Sequence, residues 1–211
     1  NGKRVLITTG PTFEAIDPVR FIGNHASGKM GFALAKVAAE LGADVILVTG
    51  PTQEKIDNPS VKVQAVVSAD EMFEAVKKEF STIDIAIAAA AVADFKPQTV
   101  ASQKIKKAKS NLTIALTPTK DILAYMGQMK KQQCLIGFAL ETENELENAK
   151  LKLKKKNLDG IVLNSLQDPG AGFSVSTNKI TFIRADHSVK DFPLQSKLEC
   201  AHRIFEQIVS L

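Results

Sequence analysis

Short apolar runs alternate with longer amphipathic stretches along most of this chain. Arg4–Thr9 (RVLITT), Asp44–Val48 (DVILV), Val61–Val67, Asp84–Ala89 (DIAIAA), Gln133–Leu140 (QCLIGFAL) and Asp159–Leu163 have the β-branched and small apolar residues of buried strands. Between them the period lengthens. Met30, Leu34, Val37 and Leu41 form one stripe on a helix expected from about Gly28 to Leu41, with Ser27 as N-cap and Gly42 as stop. Ser68 and Glu71 have capping-box spacing and open a helix to about Phe80. Pro118 and Asp121 open another to about Lys131, and the charged stretch Glu143–Asn157 is a fourth. The last, about Gln195–Leu211, sets Leu198, Ala201, Ile204, Phe205 and Ile208 on one face. Lys179–Arg184 and Val189–Phe192 read as a hairpin turning at Ala185–Ser188, after a loop over 165–176. The tetrapeptide Thr9-Gly10-Pro11-Thr12 recurs at Thr49-Gly50-Pro51-Thr52; two strand-end turns explain it more simply than an internal repeat. Strands and helices alternating in this way predict a three-layer, Rossmann-like α/β fold: a mostly parallel sheet with helices on both faces. Ligands then belong beyond the carboxyl ends of the strands.

The alternation fails from Ala90 to about Ser110. This segment holds Pro97, Gln98, Ser102 and the lysines Lys104, Lys106, Lys107 and Lys109. Loops of such length are usually functional or disordered. Asn111–Thr117 (NLTIALT) alternates polar and apolar, as a half-exposed strand does. One domain over 1–211 is therefore expected, with a flap-like excursion at about 95–117.

Composition narrows the function. With 211 residues, 45% of them hydrophobic, the chain can bury one sizeable core. Its 27 basic and 23 acidic residues leave a net +4, too mild to imply nucleic acid. The Lys104–Lys109 cluster also lacks the interleaved aromatics that stack on bases, so no nucleic-acid partner is expected. No apolar run approaches the roughly 18 residues of a membrane helix, so no membrane partner is expected either. Cys134 and Cys200 belong to no CxxC motif, and no secretory segment opens the chain; both fit a cytoplasmic protein.

Several places carry candidate chemistry. Gly23–Lys29 has the spacing G-x-x-x-x-G-K of a phosphate-cradling loop. Yet Met30 replaces the metal-binding hydroxyl, and the preceding strand ends well upstream. The stretch thus reads as a phosphate or carboxylate site at a helix start. Asn24 could donate to an acyl or phosphoryl oxygen, or hold its loop as an Asx-turn. Small residues over Ala88–Asp94 admit a flat base, and Asp94 could accept from an exocyclic amine or merely cap a turn. The lysines of Lys104–Lys107 could close over a triphosphate or stay solvated. Lys152 and Lys156 share one helix face, as phosphate ligands or an ordinary solvent face would. A dinucleotide site is disfavoured: Gly10-Pro11-Thr12 replaces the G-x-G-x-x-G turn, and the second strand ends in Val48-Thr49-Gly50 with no acid. His25, His187 and His202 lack metal-ligand spacing, so no protein metal site is expected, and no nucleophile motif is present.

The segments TTGPTFEAIDPVRFIGNHASGKMG (8–31), AAAAVADFKP (88–97), KIKK (104–107), GFALET (137–142) and KKKNLDGIVLN (154–164) together resemble the phosphopantothenate–cysteine ligase family, most closely the synthetase domain of bifunctional bacterial coenzyme A biosynthesis proteins. The resemblance implies a ligase that joins 4′-phosphopantothenate to L-cysteine using CTP and Mg²⁺, through an acyl-cytidylate. It implies substrate contacts at Asn24, His25 and Ala91, with Asn24 binding the acyl intermediate and assisting cysteine attack. Lys104 becomes a catalytic triphosphate contact. Asp94 falls on a contact to base or ribose, and Phe138 on a packing partner for the base. Further nucleotide contacts fall on Gly10, Ser27, Gly28, Ala90, Lys120, Asp121, Ile122, Leu123, Lys152 and Lys156. Lys120 stands where relatives commonly have proline. Pro11 stands where they often have glycine, which removes one N–H donor. The family pattern also implies a homodimer exchanging strands around the long loop, and an FMN-dependent decarboxylase domain that is absent here, consistent with a start at Asn1 as an excised C-terminal piece; no FMN is expected. Alternatives are an ATP-dependent ligase of the same kind and, further off, an NAD(P)-dependent Rossmann-type reductase.

Overall fold

The computed structural model describes residues 2–107, 111–141, 143–165 and 175–211. Asn1, Lys109, Ser110, Thr142 and most of the loop expected at 165–176 lie outside the described residues. In chain order the elements are β1 (Arg4–Thr9), β2 (Glu14–Ala15), β3 (Phe21–Ile22), α1 (Lys29–Glu40), β4 (Asp44–Thr49), β5 (Val61–Ala65), α2 (Ala69–Glu79), β6 (Ile85–Ala88), β7 (Phe95–Pro97), β8 (Leu116–Pro118), α3 (Ile122–Met129), β9 (Cys134–Glu141), α4 (Glu145–Lys155), β10 (Gly160–Ser165), β11 (Thr177–Arg184), β12 (Val189–Ser196) and α5 (Lys197–Val209). Eight strands form one sheet in the order β12-β11-β10-β9-β6-β1-β4-β5. The six from β10 to β5 run parallel; β11 and β12 are antiparallel additions at one edge.

The parallel strands are apolar throughout because helices cover both faces. In β1, Val5, Leu6 and Ile7 are at most 1% exposed, yet they serve different layers. Val5 and Ile7 pack with Leu34 and Val37 of α1 and with Ile204 and Ile208 of α5. Leu6 faces the other way, toward Met72 and Val76 of α2, Met126 of α3 and Leu153 of α4. This two-sided burial is the expected three-layer, Rossmann-like arrangement. No helix among the described residues is long and apolar enough to cross a membrane.

Four local expectations change. The N-cap of α1 is Gly28, not Ser27, and the helix opens at Lys29. Gly28 has φ 84°, a left-handed turn that a serine would adopt only under strain. Ser27 instead offers its carbonyl to the Thr52 hydroxyl at 2.7 Å. The stretch before it, expected as loop, contains the β2–β3 hairpin, closed by Asp17 accepting the Val19 and Arg20 N–H groups at 2.8 and 2.9 Å. The strand expected over Asn111–Thr117 is confined to Leu116–Pro118, and it pairs with β7 in a separate ribbon. Finally, β12 runs through Pro193 to Ser196, and Ser196 with Glu199 forms the capping box of α5. Proline is tolerated in β12 because that strand is an edge.

The repeated Thr-Gly-Pro-Thr turns abut each other. Gly50 N–H donates to the Thr9 carbonyl at 2.9 Å. A Cβ on Gly50 would fall 1.6 Å from the Pro11 carbonyl oxygen. The repeat therefore marks two turns packed back to back at the sheet's carboxyl edge.

Candidate active site

That edge opens into a cavity of about 380 Å³. Its walls come from the ends of β1, β6, β9 and β10, the turn into α1, one face of α4, and the start of β11 and α5. The floor is held together by hydrogen bonds from the main chain after β6. Ala91 N–H donates to Gly10 O at 2.9 Å, and Ala93 N–H to the Thr12 hydroxyl at 3.0 Å. Ala89–Ala91 can lie this close to residues 8–12 because their side chains are single methyl groups.

Asn24 stands on the cavity wall. Its Oδ1 accepts Ala26 N–H at 3.1 Å, the expected Asx-turn, while its Nδ2 donates to the Ala91 carbonyl. The two uses are compatible: the turn orients the amide, and Nδ2 carries a second N–H for a ligand oxygen. Beside it, the first turn of α1 faces the cavity through Lys29, Met30 and Gly31. No side chain caps that end, so its N–H groups and helix dipole favour an anion. The helix sits flush on β1, since a Cβ on Gly31 would meet Thr9 Oγ1 at 2.1 Å, and Thr9 Oγ1 in turn donates to Gly28 O at 2.9 Å.

Opposite, Asp94 and Phe138 frame a slot. Lys152 Nζ donates to the Phe138 carbonyl at 2.9 Å. Burial lowers the Lys152 pKa, against the raising influence of Glu141 and Asp121. The structure thus brings together Gly10, Asn24, Ser27 and Gly28 from one side with Ala90, Ala91, Asp94, Phe138 and Lys152 from the other.

The remaining expected residues stand elsewhere in this chain. His25 lines a neighbouring depression with Pro11, Phe13 and Pro51. Lys104 is exposed on the flap, whose chain is held where Ile105 N–H donates to Asp17 at 3.0 Å and Arg20 donates to Ile105 O at 2.6 Å. The Arg20 ion pair is the main cause that holds the Asp17 carboxyl far below the usual range. Lys120 turns to α2, pairing with Glu74 at 3.1 Å and lying 4.6 Å from the Phe73 ring centroid. Asp121 caps α3 through Ala124 N–H at 2.8 Å and pairs with Lys156. Burial pushes the Asp121 pKa up, but Lys156, the Ala124 N–H and Lys152 outweigh it and the net shift is down. Ile122 is a core residue, and Leu123 packs near Gly137.

Among the polar wall residues, Lys29 and Asn164 lie in the quoted motifs without an assigned contact, and Asn178 and Lys197 lie outside all of them. Asn164 was legible as the polar end of the apolar run GIVL, where an α/β sheet binds ligands. Its Oδ1 is buried without a hydrogen-bond partner among the described residues. Asn178 and Lys197 had no such signal. They reach the carboxyl edge only because β11 runs backwards, so that its start, and the start of α5 after β12, lie beside the end of β10. Burial pushes the Cys134 thiol up to about 12 and raises Cys200 as well, so neither is a thiolate near neutrality. Among the described residues no group of three or more His, Cys, Asp or Glu could hold a metal ion.

The DNA/pantothenate metabolism flavoprotein C-terminal domain, as a family model, matches residues 1–211. The chain is 53% identical over 212 residues to a protein of an unknown prokaryotic organism named cysteine/cysteine sulfinic acid decarboxylase, covering 100% of this chain and 59% of that one. It is 46% identical over 212 residues to the coenzyme A biosynthesis bifunctional protein CoaBC of Bacillus subtilis (strain 168), covering 100% of this chain and 52% of that protein. It thus spans little more than half the length of these curated relatives. The crystal structure of the C-terminal domain of a coenzyme A biosynthesis bifunctional protein CoaBC matches with a TM-score of 0.84 at 45% identity, over 99% of this chain and 94% of that one. With the model matched from end to end and the fold shared at this identity, the chain belongs to the family of the DNA/pantothenate metabolism flavoprotein C-terminal domain.

Proposed function

We propose that this chain is a phosphopantothenate–cysteine ligase of coenzyme A biosynthesis that uses CTP. The observation that carries this reading is the pairing in one cavity of a fixed amide, Asn24, with an uncapped helix start. The relatives named for coenzyme A biosynthesis support it.

In this reading the 4′-phosphopantothenate carboxylate attacks the α-phosphorus of CTP, forming the acyl-cytidylate and releasing pyrophosphate. The amine of L-cysteine then attacks the acyl carbon, forms the amide and releases CMP. Asn24 donates to the acyl oxygen as charge develops there, and Ala91 lines the same wall. Such oriented donors stabilise a developing oxyanion strongly. Gly10, Ser27, Gly28 and Ala90 offer main chain to the phosphates; Phe138 packs on the base, Asp94 accepts from base or ribose, and Lys152 adds charge. The donor set suits Mg²⁺ arriving on the nucleotide phosphates, because Asp94 is the cavity's carboxylate among the described residues.

Lys104, with Asp121, Lys156 and His25, completes the site in a homodimer, where the flap of one copy serves the cavity of the other. The exposed Phe95, Val100, Leu112 and Leu116 on the flap fit a face that a second copy covers. The setting is cytoplasmic, and the full protein carries a flavin-dependent domain beside this one.

Pyrophosphate release tests the reading directly. Incubation with 4′-phosphopantothenate, L-cysteine and either CTP or ATP is expected to release it with CTP. No release with either nucleotide overturns the ligase; release only with ATP overturns the choice of CTP. The decarboxylase name of one relative supplies a second reading. Nucleotide-independent CO₂ release from cysteine would favour it.

A further inference from the structure

We infer that Phe13 and Gly23 are a matched pair of positioning residues that set the Asn24 amide in place for the reaction; this rests on the ligase reading above. Asn24 follows a hairpin too short to place it. β2 and β3 pair only through Glu14 with Ile22 and Ala15 with Phe21, and a lone ribbon of that size is marginal in water. The Phe13 ring supplies what the ribbon lacks. It stacks on Phe21 with centroids 3.9 Å apart and planes at 15°. One side of the ring lies against Gly23, where an added Cβ would meet Phe13 Cδ1 at 2.8 Å, Cε1 at 3.2 Å and the Thr12 carbonyl at 3.3 Å. Gly23 is not among the glycines of positive φ, so its backbone alone would accept a side chain. The constraint on this position is the room that the ring leaves.

The ring is itself anchored to the cavity floor. Phe13 N–H donates to the Val67 carbonyl at 2.8 Å, and the Thr12 hydroxyl before it accepts Ala93 N–H at 3.0 Å. After it, the buried Glu14 carboxylate accepts Ala69 N–H at 2.8 Å, at the start of α2. The Ala91 carbonyl accepts both Thr12 N–H, at 3.4 Å, and Asn24 Nδ2. The contacts close a circuit: floor to Thr12 and Phe13, ring to Gly23, Gly23 to Asn24, and the amide back to the floor. A side chain at position 23 must push the ring out of its stack or lift Asn24 from Ala91. The chain around Phe13 is tied on both sides, so the strain falls on the loop that carries Asn24. Relieving 2.8 Å to the roughly 3.5–4.0 Å of an ordinary carbon contact takes more than half of the distance, about 1 Å, at which a misplaced reacting group can lose about 10²-fold in rate.

Pyrophosphate release with CTP, 4′-phosphopantothenate and L-cysteine, beside calorimetric titration with CMP, tests the pair. Gly23→Ala is expected to lower kcat about tenfold or more, while CMP affinity stays within about twofold, because Asp94, Phe138 and Lys152 lie across the cavity. The side-chain amide resonances of Asn24 in a ¹⁵N-labelled sample should shift as its bond to Ala91 is lost. Phe13→Val alone removes the ring and should lower kcat too. Combined, the two changes should cost less than the product of their separate losses, because the valine frees the space that the alanine needs. Unchanged kcat in Gly23→Ala overturns the assignment. Losses that simply multiply overturn it as well, since they would mean two independent packing faults, and so does an equal fall in CMP affinity. If Gly23→Ala does not fold, Phe13→Val carries the comparison of kcat with CMP affinity. The two levels fail differently. An unsubstituted protein that releases no pyrophosphate sinks the ligase reading. Asn24 resonances that stay put in Gly23→Ala sink only the pair.

Discussion

The cavity wall and the flap carry similar residues, but they are held by different forces. Every polar side chain of the wall sits within a few positions of a strand end or on a helix packed against the sheet. Asn24 is fixed at both ends of its amide, Lys152 by the Phe138 carbonyl and Lys197 by Asn178. The described part of the flap between β7 and β8 is held more sparsely, by Gln98 N–H to Ala115 O at 2.9 Å, Ala101 N–H to Ile16 O at 3.0 Å and the bonds of Ile105 to Asp17 and Arg20. The sheet therefore offers a preformed site, whereas Lys104 is placed by one polar node. Preorganised donors suit groups that must stabilise developing charge; a conditional lysine suits a step that must open and close.

The largest effect that could break this contrast is at Lys104. Lys104→Gln is expected to lower kcat on the order of 10²-fold or more, as loss of a cation on transferring phosphates does, about 3 kcal/mol. Its melting temperature should stay put, because the side chain is exposed and outside the core. Unchanged turnover in a pyrophosphate-release assay would return the lysine cluster to a solvated loop, and the flap would lose its claim to the chemistry.

Asp17 comes next, because it acts on the lysine only through the chain. Asp17→Asn is expected to lower kcat by less than the Lys104 change and to speed amide exchange at Ile105, leaving CMP affinity intact. The pH dependence follows from the sign of its shift. The folded-state pKa is depressed, so the anchor is complete above the unfolded value of about 4 and is lost only as pH falls through the folded value. Exchange protection at Ile105 should therefore be flat from about pH 5 to 9 after correction for intrinsic rates. A step near neutrality would show that another group holds the flap.

The same contrast explains what could be read in the sequence. Strands such as RVLITT and DVILV were legible because burial on both faces forces a continuous apolar run. The β2–β3 hairpin was not, since two-residue strands are too short to show a period. Ser27 had the composition of a cap, but the backbone needed a left-handed residue, and that requirement falls on Gly28. Asn24 and Asp94 flank the short strands β3 and β7, while Phe138 lies inside β9 one residue past the last pairing with β6, Ala88 with Gly137, so register brings them together. Lys197 was invisible because its place depends on the reversal of β11. Lys156 and Asp121 were each assigned to nucleotide, and nothing in their spacing announces that they pair with one another.

Lys120 gives the smallest effect and tests where the fixed region ends. Its ammonium belongs to α2, through Glu74 and the face of Phe73, although its motif position belongs to the nucleotide contacts. Both partners of the ion pair are about half exposed, so the pair contributes roughly 0–1 kcal/mol, and an exposed cation–π contact about 0.5–1 kcal/mol. Lys120→Ala should lower the melting temperature by a few degrees at most, about 2–4 °C per kcal/mol for a chain of this size. If Lys120 stays on α2, CTP affinity should hold within about twofold. A tenfold loss of CTP affinity would mean that the side chain leaves Glu74 when nucleotide binds. Lys120 would then join Lys104 among the conditional residues, and the preformed site would end at Lys152.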